Sequence, residues 1–138
     1  MRLVLDTNVI LSARRSFEGA SNALLRAVGE RRITMLASVP LFMEYEAVLN
    51  RPEQLLAMKM APEQVSAFLD ALAGMIQPVK LHYLWRPQLS DVADEMVLET
   101  AINGRADAVV TFNTRHFGPA RQFGVDVSLP SEIMRRLP

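Results

Sequence analysis

The residues of this chain best placed to do chemistry are a set of side-chain oxygens spread far apart along it: Asp6, Glu44 or Glu46, Asp91, Asp94 and Asn113. Asp6 directly follows the apolar triplet Leu3-Val4-Leu5. Asn113 follows a second apolar run, Ala108-Val109-Val110 with Thr111. The others fall in the first turns of segments with helical spacing. In a parallel α/β sheet, the strand ends and the starts of the following helices share one edge, and ligands collect there. Three or four carboxylates meeting at that edge repel one another unless a divalent cation sits among them. The chain has no Cys, and ligation by oxygen without thiolates or a His pair favours Mg²⁺ or Mn²⁺. Such ions commonly serve phosphoryl chemistry, by activating water and neutralising charge on phosphate oxygens.

Each of these residues also has a simpler explanation. Asp is a favoured helix N-cap, so Asp6 can merely close the turn after its strand. Asn suits turns, which accounts for Asn113 equally well. For the segment 91–103, Val97, Leu98, Ala101 and Ile102 define an apolar face. At roughly 100° per residue, Asp94 falls near the middle of that face, Asp91 about 50° from its centre, and Glu95 and Glu99 well off it. Asp91 is then explained as a charge complementing the positive end of the helix. Asp94 is not, because a carboxylate on an apolar line is costly without a partner or a cation. Glu44 and Glu46 flank the stripe of Leu41, Tyr45, Val48 and Leu49 on opposite sides, and helical geometry does not choose between them. His116 is one of only two histidines and reads by itself as a surface or packing residue.

The elements that must position these groups alternate in type. Residues 1–11 read as a buried strand turning into a helical turn that Thr7 and Asn8 start and that carries Val9, Ile10 and Leu11. Residues 14–19 are a polar loop, and Ser21 caps a helix that Gly29 ends. A second strand covers 33–39 (ITMLASV), and Ser38 with Pro40 starts the helix 40–49. Arg51-Pro52 breaks it. A short helix at 53–58 and a longer one from Pro62, with Val65, Phe68, Leu69, Leu72 and Met75-Ile76 at helical spacing, follow. A third strand is expected at 78–84 (PVKLHYL), a connector at 86–90, and the helix 91–103 stopped by Gly104. The fourth strand is 108–111, followed by a loop at 113–118 with one helical turn, a short edge strand at 125–127 and a terminal helix at 130–137. Alternating strands and helices, with no repeat or linker, predict one α/β domain over 1–138 with a mainly parallel sheet.

Composition narrows the classes further. The chain has 138 residues, 50% hydrophobic and 22% charged, which suits a globular domain with a real core. Its formal charge is zero, which argues against a strong, indiscriminate nucleic-acid binder but allows a local basic rim around an acidic pocket. Only two of the fifteen basic residues are lysines, Lys59 and Lys80; arginine is the better bidentate partner of phosphate. The absence of Cys excludes disulfides and thiolate metal sites. No apolar run reaches the roughly 20 residues that span a bilayer, and no signal peptide is evident. A cytoplasmic protein with no membrane association is the expectation.

Five segments together resemble the PIN-domain family, and within it the VapC-like ribonucleases that serve as toxins of toxin–antitoxin pairs. They are LDTNVIL (5–11), MEYEAVLNRP (43–52), DVADEMVLETA (91–101), ADAVVTFNTRHF (106–117) and GVDVSLPSEIM (124–134). The resemblance implies a three-layer sandwich whose five-stranded, mainly parallel sheet has strand order 3-2-1-4-5 and is flanked by helices. It implies a metal-dependent endoribonuclease that uses Mg²⁺ or Mn²⁺ and leaves 5′-phosphate and 3′-hydroxyl ends. Carried over, Asp6, Glu44 and Asp94 are similar to the family's acidic metal ligands, with Asp91 as a neighbour, which selects Glu44 over Glu46. Asn113 stands where many members have a fourth Asp; it keeps an oxygen but removes a charge. Thr7, Asn8 and Thr111 resemble residues that hydrogen-bond to those ligands, and Arg115 with His116 could contact substrate phosphate. A small antitoxin covering the acidic pocket and a homodimer are also implied, with the Met- and Leu-rich stretch 55–76 available for either contact or for core. The alternatives are a PIN-like RNA-binding module with weakened catalysis, and a receiver-like domain phosphorylated on Asp6. The latter lacks the acidic pair and the late Lys it needs.

Overall fold

Leu3, Val4 and Leu5 lose all exposure to solvent as the first strand, β1 (Arg2–Leu5), which lies at the centre of the sheet. The computed structural model describes residues 1–83 and 88–138 of the chain. After β1 come α1 (Thr7–Arg15), α2 (Ala20–Gly29), β2 (Thr34–Ala37), α3 (Val39–Leu49), α4 (Pro52–Met58), α5 (Pro62–Ala73) and β3 (Ile76–Pro78). Then follow α6 (Val92–Asn103), β4 (Ala108–Val110), a 3₁₀ segment (Thr114–Phe123), β5 (Asp126–Ser128) and α7 (Pro130–Arg136). The sheet order is β3-β2-β1-β4-β5, and each neighbouring pair is parallel. The registers align Val4 with Leu36 on one side and Val109 on the other. This is the five-stranded 3-2-1-4-5 arrangement flanked by helices that the family resemblance implies.

The order also fixes the layers. From β1 to β3 the chain steps outward one way; it then returns past β1 to β4 and β5. Right-handed crossovers place α1 to α5 on one face and α6 with the 3₁₀ segment on the other. In the packing, α1 rests on α2, α3 and α4, while α6 rests on β1, β2, β4 and the 3₁₀ segment and also meets α3. Both faces of the central strands are thereby covered, which is why they read as continuous apolar runs. No helix among the described residues is long and apolar enough to cross a membrane.

Three helices that follow strands begin on a side-chain cap. Asp6 accepts from the N–H of Thr7, Ser38 from that of Leu41 and Asp91 from that of Ala93. Each cap satisfies a backbone donor left free by the first turn. A consequence is that oxygen-bearing side chains are concentrated along the carboxyl edge of the sheet.

Several expectations need correction. The third strand is Ile76–Pro78 rather than 78–84: one further ladder bond forms, Val79 N–H to the Ala37 carbonyl at 2.9 Å. Beyond it, the N–H groups of His82 and Tyr83 donate to Asn103 Oδ1, at 2.9 and 3.1 Å, instead of to a strand. Leu84, and the part of the expected connector at 86–87, lie outside the described residues. α1 runs on to Arg15, into the expected polar loop, and the 113–118 loop is largely the longer 3₁₀ segment, kinked at Phe117. Glu95 and Glu99, read as well off the buried face, are only 3% and 1% exposed. The chain entering α6 folds over that side, and Glu95 Oε1 accepts from the N–H groups of Gln88 and Leu89 at 2.7 and 2.8 Å. Of the Met-rich stretch, Met58 is core, whereas Leu56 is 80% exposed.

Candidate active site

Asp6 is held from both sides of the sheet edge. Its N–H extends the β1–β4 ladder by donating to the Val110 carbonyl at 2.9 Å. Its Oδ1 accepts from Thr7 N–H at 2.8 Å, and its Oδ2 from the Thr111 hydroxyl at 2.7 Å. Thr111 is wholly buried, and its Oγ1 in turn accepts the Asn113 N–H at 3.0 Å. Burial pushes the Asp6 carboxyl above its ordinary value, against the pull of Thr111, Thr7 and His116; the charge on Asp91 adds to the rise. Asp6 is therefore both the cap of α1 and a nearly buried carboxylate with a fixed orientation.

Asp94 enters the same field from α6. It is 9% exposed, and its carboxyl is pushed up to about 6 by burial, then by the charges on Asp6 and Asp91. His116 draws it back down, its Nδ1 lying 3.4 Å from Asp94 Oδ2. Asp6 and Asp94 thus stand within electrostatic reach of each other despite their separation in sequence. A cleft of about 740 Å³ opens over Asp94, lined by Gln88, Leu89, Ser90, Asp91, Val92, Asp94, Arg115, His116 and Pro119. Asp91 is exposed at its rim, as the cap of α6. Arg115 brings a positive charge to the same wall, and His116 an imidazole.

The remaining candidates are placed less tightly. Glu44 is half-buried on α3 and Glu46 is exposed, but the influences on Asp6 and Asp94 do not include Glu44. Asn113 is exposed and begins the 3₁₀ segment without a side-chain cap bond. Asn8 Oδ1 accepts the Phe112 N–H at 3.5 Å, tying α1 to the end of β4. Thr7 acts on Asp6 through its backbone N–H.

Two contributors were not legible as such. Tyr45 sits on the apolar stripe of α3, fully buried, and its hydroxyl donates to the Leu5 carbonyl immediately behind Asp6. Burial and the Asp6 charge push that hydroxyl well up. Ser38 and Thr100 share a hydrogen bond of 2.7 Å that joins the start of α3 to α6. Local spacing gave no sign of these partners, since both bonds cross between elements.

The candidate donors suit a hard cation: all are oxygens, and the nearly buried carboxylates of Asp6 and Asp94 repel each other. Among the described residues, no three His, Asp or Glu side chains gather into a ready-made cage. Mg²⁺ does not require one, because it keeps several waters and is commonly bound through one or two carboxylates plus substrate phosphates. Asp6 and Asp94 supply that number.

An α/β sheet of this order with an acidic centre at its carboxyl edge is the architecture of a known class. The family model for the PIN domain matches residues 2–115, and the chain belongs to the PIN domain family. The matched span holds Asp6, Glu44, Asp91, Asp94 and Asn113. Among solved structures, that of VapBC2 from Rickettsia felis bound to a DNA fragment from their promoter contains a similar chain. The TM-score is 0.64 at 16% identity, covering 92% of this chain and 98% of that one. At this identity the likeness is one of fold. No curated protein matches the chain by sequence.

Proposed function

We propose that the protein is a Mg²⁺- or Mn²⁺-dependent endoribonuclease that hydrolyses RNA phosphodiester bonds and serves as the toxin of a toxin–antitoxin pair. The observation that carries this reading is the convergence of Asp6 and Asp94, two nearly buried carboxyls each held above its ordinary value. Family membership supports it, and the fold likeness to a chain of VapBC2 supports the toxin part. When bound, the cation supplies Lewis-acid polarisation of the phosphate and lowers the pKa of water.

The protein's own residues do the rest. Asp6 and Asp94 hold the cation, with Asp91 beside them. Thr7 and Thr111 keep Asp6 in one orientation. Glu44 acts as a further ligand or as the base orienting the attacking water, and Asn113 positions water with its amide. Arg115 and His116, on the cleft wall, face the substrate phosphate. A small antitoxin covering the acidic pocket, and a homodimer, complete the proposal.

A second reading is an RNA-binding module with weakened catalysis. The uncharged, exposed Asn113 favours it, since an amide holds a cation less firmly than a carboxylate. Incubation of the protein with total RNA separates the two. The nuclease reading expects cleavage that requires Mg²⁺ or Mn²⁺ and leaves 5′-phosphate ends. Asp6→Asn and Asp94→Asn should each lower it by about a hundredfold or more, with circular dichroism unchanged. RNA bound but never cut favours the second reading, and cleavage unaffected by both substitutions removes the first.

A further inference from the structure

Apart from the cleft with Arg115 and His116, a smaller hollow of about 340 Å³ is lined by Asn8, Leu11, Ser12, Arg15, Ser16 and Phe112. It adjoins the Asp6 region through the chain: Asn8 lies two residues beyond Asp6, and Phe112 follows Thr111, whose hydroxyl donates to Asp6. Phe112 is 47% exposed, whereas Phe117, further along the same segment, is fully buried. Phe112 therefore leaves close to half of its surface outside the core.

Its backbone is nevertheless well fixed. Thr111 N–H donates to the Ser128 carbonyl at 3.0 Å, Phe112 N–H to Asn8 Oδ1 at 3.5 Å, and Asn113 N–H to Thr111 Oγ1 at 3.0 Å. The ring is thus displayed one residue from the hydroxyl that touches Asp6. Arg15 brings a positive charge to the hollow, Ser12 and Ser16 bring neutral hydroxyls, and no carboxylate is among its lining residues. An aromatic face with a nearby cation suits a base and its phosphate, and a preorganised platform lowers the cost of binding.

Resting on the nuclease reading, we infer that Phe112 is the stacking platform for a base of single-stranded RNA adjoining the scissile phosphate, with Arg15 on a neighbouring phosphate. The substrate is single-stranded because a paired base cannot leave its own stack to meet the ring without losing that pairing. Recognition at this position is tolerant of base identity, since every base offers a π face.

The test is binding of a fluorescein-labelled single-stranded RNA, followed by anisotropy in EDTA so that cleavage is off. Phe112→Ala should weaken binding about tenfold, and Phe112→Trp should restore it. An abasic site walked along the RNA should weaken binding to the wild type by a similar factor at one position. At that position Phe112→Ala should show no additional loss. Thermal denaturation of both variants checks that the exposed ring was not supporting the fold. Wild-type affinity in Phe112→Ala, or an abasic penalty that survives the substitution, overturns the inference while leaving the nuclease reading standing. RNA neither bound nor cut by the wild type brings down both.

Discussion

A carboxylate shut away from water resists ionising, and Asp94 resists more because Asp6 and Asp91 already carry charge nearby. Its folded value of about 6 lies above its ordinary 3.8. The folded state therefore holds the Asp94 proton over a range where the unfolded state has released it. The resulting stabilisation is full below about 3.8 and is lost as pH rises through about 6. In EDTA, the melting temperature of the wild type relative to Asp94→Asn should fall as pH goes from 4 to 7, so the variant is the more stable at pH 7. A difference independent of pH would remove the burial argument. Thr111 gives a second residue-level test. Thr111→Val strands the Asn113 N–H and takes a donor from Asp6, and should cost about 1–3 kcal/mol in urea denaturation, with Thr111→Ser costing less. Equal stability of the two variants would mean that the hydroxyl holds nothing. At this scale Asp6 and Asp94 were legible because strand ends and helical periodicity are local signals. The pairing of His116 with Asp94 was not, because it joins segments that only the fold brings together.

Among the elements, α3 and α6 set the back wall of the site through single polar contacts. Tyr45→Phe keeps the core volume and deletes the bond to the Leu5 carbonyl; a loss of about 1 kcal/mol is expected in equilibrium unfolding, and no loss would deny the tether. Gly104 marks where α6 presses against the sheet. A Cβ there would meet Val79 Cγ2 at 2.8 Å and the Thr100 carbonyl at 2.9 Å. Gly104→Ala should therefore destabilise by about 1–3 kcal/mol, read as a lower denaturant midpoint at constant slope. A neutral substitution would show that this packing yields easily. Element reading from sequence failed where a local pattern had a non-local cause. The alternation in 78–84 suggested a strand, yet Asn103 takes the hydrogen bonds that a strand partner would have taken. Glu95 and Glu99 fall well off the periodic face of α6, and that periodicity says nothing of what covers the helix's other side.

At the scale of the whole molecule, a mainly parallel α/β sheet follows from short apolar runs alternating with helices, and so does the edge on which the oxygens gather. The order 3-2-1-4-5 came only with the family resemblance, since alternation does not say which strands are neighbours. Helical periodicity did not choose between Glu44 and Glu46, since both flank the same stripe; the family resemblance selected Glu44. The half-burial of Glu44 is a product of packing. The account as a whole stands on Asp6 and Asp94 acting jointly on one cation. Calorimetric titration of the wild type, Asp6→Asn and Asp94→Asn with Mn²⁺ at pH 7.5 tests this most directly. The predicted result is one saturable binding event in the wild type that each substitution abolishes. A wild type that binds no Mn²⁺, or variants that bind it as tightly, would contradict it.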